Sequence, residues 1–332
     1  MHKKYIFLTL PILGLVTPTF GLNTGDTIAY VTNLYIGAES LRQSSDFTDN
    51  QVFGAGGLSA GVGYADYDYD NDPPRNFDGD FQTGSFSLAY VHQFESFNVG
   101  LSFSYIDGES EGDGERANPG KLESDADGWL ISLFAGKQWE RLSLSAKGTV
   151  GELSVDTTRQ TDAALTLVPP RPARISDSDL TLYQIELVAL YALLSNADMD
   201  LSPFVKLGYT SLENDGFEES ATFDSFRYEE FEDEIPYAEL GIKASWKSFG
   251  PFQPYAGASI WQDLADDEVN LEVSSPTSDE RDVPDAMSTV LKAKLGFDYL
   301  ISEDISLGAS LGYLSGDELD GMNLSLAASW QF

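Results

Sequence analysis

Residues 321–332 read GMNLSLAASWQF, and they alternate to the last position. Leu324, Leu326, Ala328, Trp330 and Phe332 fall on one side of an extended chain, with Ser325, Ala327, Ser329 and Gln331 on the other. Successive side chains of a strand point to opposite faces, so the stretch reads as a β-strand with one apolar face. Chain ends are usually frayed and solvated. Here the end carries two aromatic rings, in a chain whose formal net charge is -35. The apolar face needs something to lie against.

Working back along the chain, the same period recurs. NVGLSFSYI sets Val99, Leu101, Phe103 and Tyr105 against Gly100, Ser102 and Ser104. GWLISLFAGKQW sets Trp129, Ile131, Leu133 and Ala135 against Ser132, Gly136 and Gln138. YAELGIKASW, VLKAKLGFDYL and ISLGASLGY repeat the pattern. About twelve such strands are expected, most of them about ten residues or longer, the length a tilted membrane-crossing strand needs.

The joins between them sort by length. DNDPPRNFDGDFQ, GESEGDGERANPGKLESDAD, TDAALTLVPPRPARISDSD, NDGFEESATFDSFRYEEFEDE, ADDEVNLEVSSPTSDERDVPDA and the shorter SGDELDG are acidic and mostly rich in Gly or Pro. Between them come tight turns near Glu95–Phe97, Trp139–Arg141, Ser195–Ala197, Lys247–Pro251 and Ser302–Asp304. A soluble sandwich or propeller has no reason to segregate loops this way. A meander through a bacterial outer membrane does, with short periplasmic turns and long external loops. In lipid each unpaired backbone group costs several kcal/mol, so only a closed sheet survives there. The expected fold is an all-β, antiparallel, up-and-down transmembrane barrel, and the apolar face of LSLAASWQF lies against lipid.

The N-terminal residues fit export. MHKK is basic, YIFLTLPILGLV apolar, and TPTFG turn-forming with small residues, so residues 1–21 read as a cleaved signal peptide. Residues 58–332 are the expected barrel. Residues 22–57 do not alternate; Ile28, Val31, Leu34, Tyr35 and Ala38 have helix-like spacing, so a short helix or a strap entering the barrel is expected there. There is no cysteine, hence no disulfide and no thiolate metal site. The strong acidity excludes nucleic-acid binding, and with 12% aromatics and 30 Gly it decorates an ordered protein.

With strand count, loop alternation and SLAASWQF in hand, the chain resembles the translocator domain of autotransporters, across about residues 57–332. The resemblance implies a twelve-stranded barrel preceded by a helix in the pore, here expected within Asp26–Gln43. It also implies that the barrel-assembly machinery takes the C-terminal strand, through Leu324, Leu326, Trp330 and Phe332. Autotransporters carry a passenger of hundreds of residues, whereas only a few dozen residues precede this barrel. Likeness of fold therefore does not carry self-secretion with it.

Chemistry is sparse. Past the signal peptide the remaining histidine is His92, in AYVHQFES near an expected tight turn. The residue two positions on is Phe94, where a barrel phospholipase has serine, and no expected external loop holds the histidine of a barrel protease. An interfacial structural histidine is the simpler reading. DYDYDND at residues 66–72 spaces carboxylates as calcium loops do, but Asn71 and Phe77 stand where a Gly and a Glu are needed. A solvated loop base that loosely gathers divalent cations is expected instead. No catalytic residue, cofactor or dedicated metal site is expected.

The inward faces carry Lys147, Glu186, Lys206, Glu239, Lys243, Lys292, Lys294 and Asp298. A charge facing lipid near the midplane costs about 2–4 kcal/mol, which constrains them to the lumen. They could line a conducting path or pair and close it. Two functions follow: a small pore or passenger-less translocator barrel, non-enzymatic, or a structural or adhesive surface protein with a closed lumen. The expected partners are outer-membrane lipid and lipopolysaccharide, the assembly machinery, and divalent cations at the external loops.

Overall fold

The period-two segments become strands that pair in chain order and close on themselves. The computed structural model describes residues 56–70, 78–113, 120–161, 174–218, 227–265, 269–275, 277–283, 288–316 and 319–332. The expected signal peptide and N-terminal helix lie outside them. Among the described residues the strands are β1 (Gly57–Asp70), β2 (Asp78–Gln93), β3 (Asn98–Asp113), β4 (Gly120–Trp139), β5 (Leu142–Thr161) and β6 (Arg174–Tyr191). They continue with β7 (Leu194–Ser195), β8 (Met199–Asn214), β9 (Phe217–Glu218), β10 (Arg227–Tyr228), β11 (Phe231–Trp246) and β12 (Phe252–Asp263). The last are β13 (Val269–Ser275), β14 (Thr277–Val283), β15 (Thr289–Leu300), β16 (Ile305–Ser315) and β17 (Leu319–Gln331).

One sheet takes thirteen of these, and β7 merely extends the line of β6 against β8. The other twelve form the wall, each antiparallel to its chain neighbours. β17 pairs with β16 on one side and β1 on the other, from Gly57↔Gln331 to Tyr69↔Leu319, which closes the barrel. That pairing leaves neither chain-terminal strand with a free edge. The turns at one end are tight and locally built. Glu140 adopts φ of 43° between β4 and β5, and Asn196 Oδ1 accepts from the backbone N–H groups of Asp198 and Met199 at 2.9 and 2.8 Å.

The waist of the barrel is apolar outside. Leu133, Ile185 and Leu295 are each more than 60% exposed, an arrangement water would not tolerate over a continuous belt. Aromatic residues flank it, with Tyr105, Trp129 and Tyr183 at one level and Trp139, Tyr191, Tyr299, Trp330 and Phe332 near the tight turns. Between Trp129 and Trp139, β4 has the roughly 9–11 residues a tilted strand needs to cross a bilayer.

Several strands run well past that level, and this corrects the expected loop boundaries. GESEGD, read as loop, completes β3, and KLESDAD opens β4, so the β3–β4 connection is residues 114–119. The Asp66–Asp72 stretch is likewise mainly strand: Asp66 and Asp68 sit on β1 opposite Gln82 and Asp80. The acidic run YEEFEDE supplies Tyr228 of β10 and the start of β11, and the connection from β12 to β15 holds the paired strands β13 and β14. β14, β13, β10 and β9 form a second, four-stranded sheet.

Past the waist the same positions continue to point out and in, but the outer face turns from apolar to acidic. Asp107, Glu109 and Glu111 of β3 point out, while Ile106, Gly108 and Ser110 are buried inside. On β4, Asp125 and Asp127 point out, while Leu122, Ala126 and Leu130 are buried inside. In the waist of the same strands Leu101, Phe103, Ile131 and Leu133 point out and Ser102, Ser104 and Ser132 point in. The membrane half is thus apolar outside and largely polar inside, whereas the far half is acidic outside and buries apolar side chains inside among a few hydroxyls such as Ser110, Ser124 and Thr157.

Candidate functional site

The lumen of the waist is built from small residues. Ser and Thr side chains face inward among glycines, and the hydroxyls bond across strands, as in Ser87–Ser104 at 2.9 Å and Ser132–Thr149 at 2.9 Å. Small inward groups leave space, and the structure holds a cavity of about 660 Å³ there. It reaches the tight-turn rim, where Gly57, Ser202, Ser306 and Gln331 line it, and runs up to Tyr67 and Leu314.

All eight charged residues expected on the inner face lie there in the structure, in two groups. Lys147, Glu186, Lys206 and Glu239 come from β5, β6, β8 and β11, consecutive strands of the wall, and are nearly or fully buried. Glu186 pairs with Lys147 through Oε2 and with Lys206 through Oε1 at 3.4 Å, and Lys206 reaches Glu239 at 4.0 Å. The Tyr237 hydroxyl donates to Glu186 Oε1 at 2.6 Å and accepts from Gln184 Nε2 at 3.0 Å. Removing one partner of such a buried set leaves an uncompensated charge, at a cost of roughly 3–5 kcal/mol.

Tyr237 was not singled out by its sequence. Its position follows from register: it stands directly opposite Gly208 on β8. A Cβ on Gly208 would lie 2.1 Å from the ring, so only glycine lets the ring lie flat across the strand and bring its hydroxyl to Glu186. The ring also packs against Trp261, centroids 5.5 Å apart.

The second group, Lys243, Lys292, Lys294 and Asp298, lines the open cavity on β11 and β15. The Lys243 ammonium lies 5.8 Å from the Phe204 ring centre and that of Lys292 5.8 Å from the Trp261 ring. Lys243 and Lys294 share a row on either side of Gly257, which gives that wall a cationic stripe.

Above this level the lumen is filled by an apolar core to which every wall strand contributes. From β1 to β6 come Tyr67, Phe81, Ile106, Leu130, Leu153 and Leu180, each at most 1% exposed. From the remaining wall strands come Leu212, Tyr237, Trp261, Val290, Leu314 and Leu319. Tyr228 of β10 joins them from the second sheet, stacked on Phe217 of β9 at 4.3 Å. Outside the same level, Asp66, Gln82, Glu109, Asp125, Asp156 and Asp177 form one continuous row across β1–β6.

The remaining sequence candidates are peripheral. His92 lies on the outer surface near the tight-turn rim, with Nδ1 3.4 Å from the Tyr90 hydroxyl and its ring edge-on to Phe94. Leu324, Leu326, Trp330 and Phe332 form the exposed outer face of β17 and its end, where Phe332 meets Trp330 edge-to-face and stacks on Tyr90. Among the described residues no group of three or more His, Cys, Asp or Glu is arranged to hold a metal ion.

The family model for the autotransporter beta-domain matches residues 58–312. Among solved structures, the fold is similar to the translocator domain of the autotransporter NalP from Neisseria meningitidis. The TM-score is 0.71 at 14% identity, covering 93% of this chain and 99% of that one. It is also similar to the transport unit of the autotransporter AIDA-I from Escherichia coli, at TM-score 0.57 and 11% identity, covering 83% and 90%. The Pseudomonas putida toluene transporter TodX is similar at TM-score 0.53 and 12% identity, covering 84% and 90%. No curated protein matches the sequence.

Proposed function

The chain belongs to the autotransporter beta-domain family, and from that premise we propose that it is a non-enzymatic barrel of the bacterial outer membrane whose lumen serves passage, as a small pore or translocator channel. One observation carries this reading: a cavity of about 660 Å³, bearing charged side chains, inside a closed wall whose waist is apolar outside. The similar folds named as a translocator domain and a toluene transporter support it. In this reading the tight turns face the periplasm and the strand extensions face outward. Outer-membrane lipid and lipopolysaccharide cover the waist, and the assembly machinery takes β17 through Leu324, Leu326, Trp330 and Phe332.

The absence of cysteine makes the test clean. Ser259 lines the cavity and its neighbour Ile260 faces out, 51% exposed. In oriented proteoliposomes of the full chain, Ser259→Cys reacts with a membrane-impermeant maleimide added at the tight-turn side and Ile260→Cys does not. Equal protection of both positions would leave no aqueous lumen. The structural or adhesive surface protein with a closed lumen would then take its place, a reading the apolar core above the cavity favours.

A further inference from the structure

We infer that the strand-borne apolar core is a closed outer gate, so that the lumen is a cup open at the tight turns and sealed at the other end. This rests on the passage reading above and says how that passage is regulated. The cavity extends up to Tyr67 and Leu314, both members of the core, which therefore forms its ceiling. Ile106, in register with the cavity-lining Ser85 and Gly63, and Tyr67, two inward rows further along, are each 0% exposed, so the packing is tight from the cavity's edge onward. Trp261 Nε1 and Gln184 Oε1, where polar lumen gives way to core, are buried without a hydrogen-bond partner, as in a layer solvent does not enter. An ion crossing such a layer must shed its hydration against apolar side chains and a few buried hydroxyls such as Ser124 and Thr157, which already bond each other at 3.0 Å, a condition close to that under which apolar constrictions block conduction.

The gate differs from a loop or segment that swings aside. Its side chains sit on paired wall strands, so they part only if the wall itself shifts. The joint is Tyr237, whose ring packs in the core and whose hydroxyl holds Glu186 in the ionic layer beneath. The charge set joining β5, β6, β8 and β11 therefore braces the gate from below.

The test is current through the full chain in a planar bilayer, with thiol labelling on the same preparations. Wild type gives no steady steps, and the Ser259→Cys variant labels from the tight-turn side. Ile106→Ser and Leu153→Asn, shown folded by heat-modified gel mobility, gain long-lived conducting steps. Leu180→Cys, a milder change within the core, stays unlabelled from both sides. Steady wild-type current, silent folded variants, or labelling of Leu180→Cys as fast as Ser259→Cys would each overturn the gate. Protection of Ser259→Cys from both sides would instead overturn the passage reading beneath it.

Discussion

Tyr237 shows how much one side chain can tie together. It takes a hydrogen bond from Gln184, gives one to Glu186 and packs against Trp261. Hydrogen bonds to charged groups are worth about 1.5–3 kcal/mol, so Tyr237→Phe should lower stability by about that much while leaving the ring in place. Denaturant unfolding in detergent, followed by gel mobility, reads the difference. Gly208→Ala should cost more than Tyr237→Phe, because the added methyl displaces the ring from both the core and the ionic layer. An equal or smaller loss would show that the ring is not pinned there. That the charged residues face inward was legible from alternation, since a lysine or glutamate on the lipid side of a waist strand is too costly. Their partners were not. Lys147, Glu186, Lys206 and Glu239 lie on four strands, and which of them meet depends on the stagger between strands, which single-strand periodicity does not contain.

At the scale of the strand, the acidic extensions carry an internal conflict. Asp125 stands between Glu109 and Asp156, and Asp156 between Asp125 and Asp177. Like charges directly opposite on a sheet are destabilising. The Asp156 carboxyl is pushed above its ordinary value by partial burial and then by Asp177, Asp125, Asp127 and Asp179. Asp66 is raised by partial burial and then by Asp68 and Asp80. A raised carboxyl binds protons more tightly folded than unfolded. Its contribution is therefore fully present below the unfolded value and is lost as pH rises through the folded one. Amide protection of residues 122–128 and 152–158, corrected for intrinsic exchange, should increase between about pH 7 and about pH 4. Asp156→Asn should raise it at neutral pH and flatten the dependence. Protection that falls on acidification would contradict this. The extensions were misread as loops for a physical reason. Their period of two is intact, with Glu109 and Glu111 against Ser110 and Gly112. But the polar residues have moved to the outer face, and a search for an apolar outer face stops where the bilayer stops.

At the scale of the molecule, two environments are stacked along one wall: a lipid-embedded half with a polar lumen and a solvated half with an apolar core. The barrel, its closure by the C-terminal strand and its twelve-stranded wall were legible, because lipid imposes a pattern that repeats in every crossing. The core was not, because it is contributed mostly one or two residues per strand and exists only once the wall closes. The second sheet of β9, β10, β13 and β14 was hidden in segments whose acidity resembles that of a solvated loop. The central claim is this stacking of two environments, and it is most directly tested by a single-cysteine spin-label scan of β4 from Leu122 to Gln138 in lipid. Ile131, Leu133 and Ala135 should respond to oxygen, and Glu123, Asp125 and Asp127 to a water-soluble nickel chelate. Leu122, Ala126 and Leu130 should respond to neither, and so should Ser132, which is 1% exposed on the inner face. Chelate access at Ala126 and Leu130 equal to that at Asp125 and Asp127 would mean a water-filled lumen at that level, and would contradict the account.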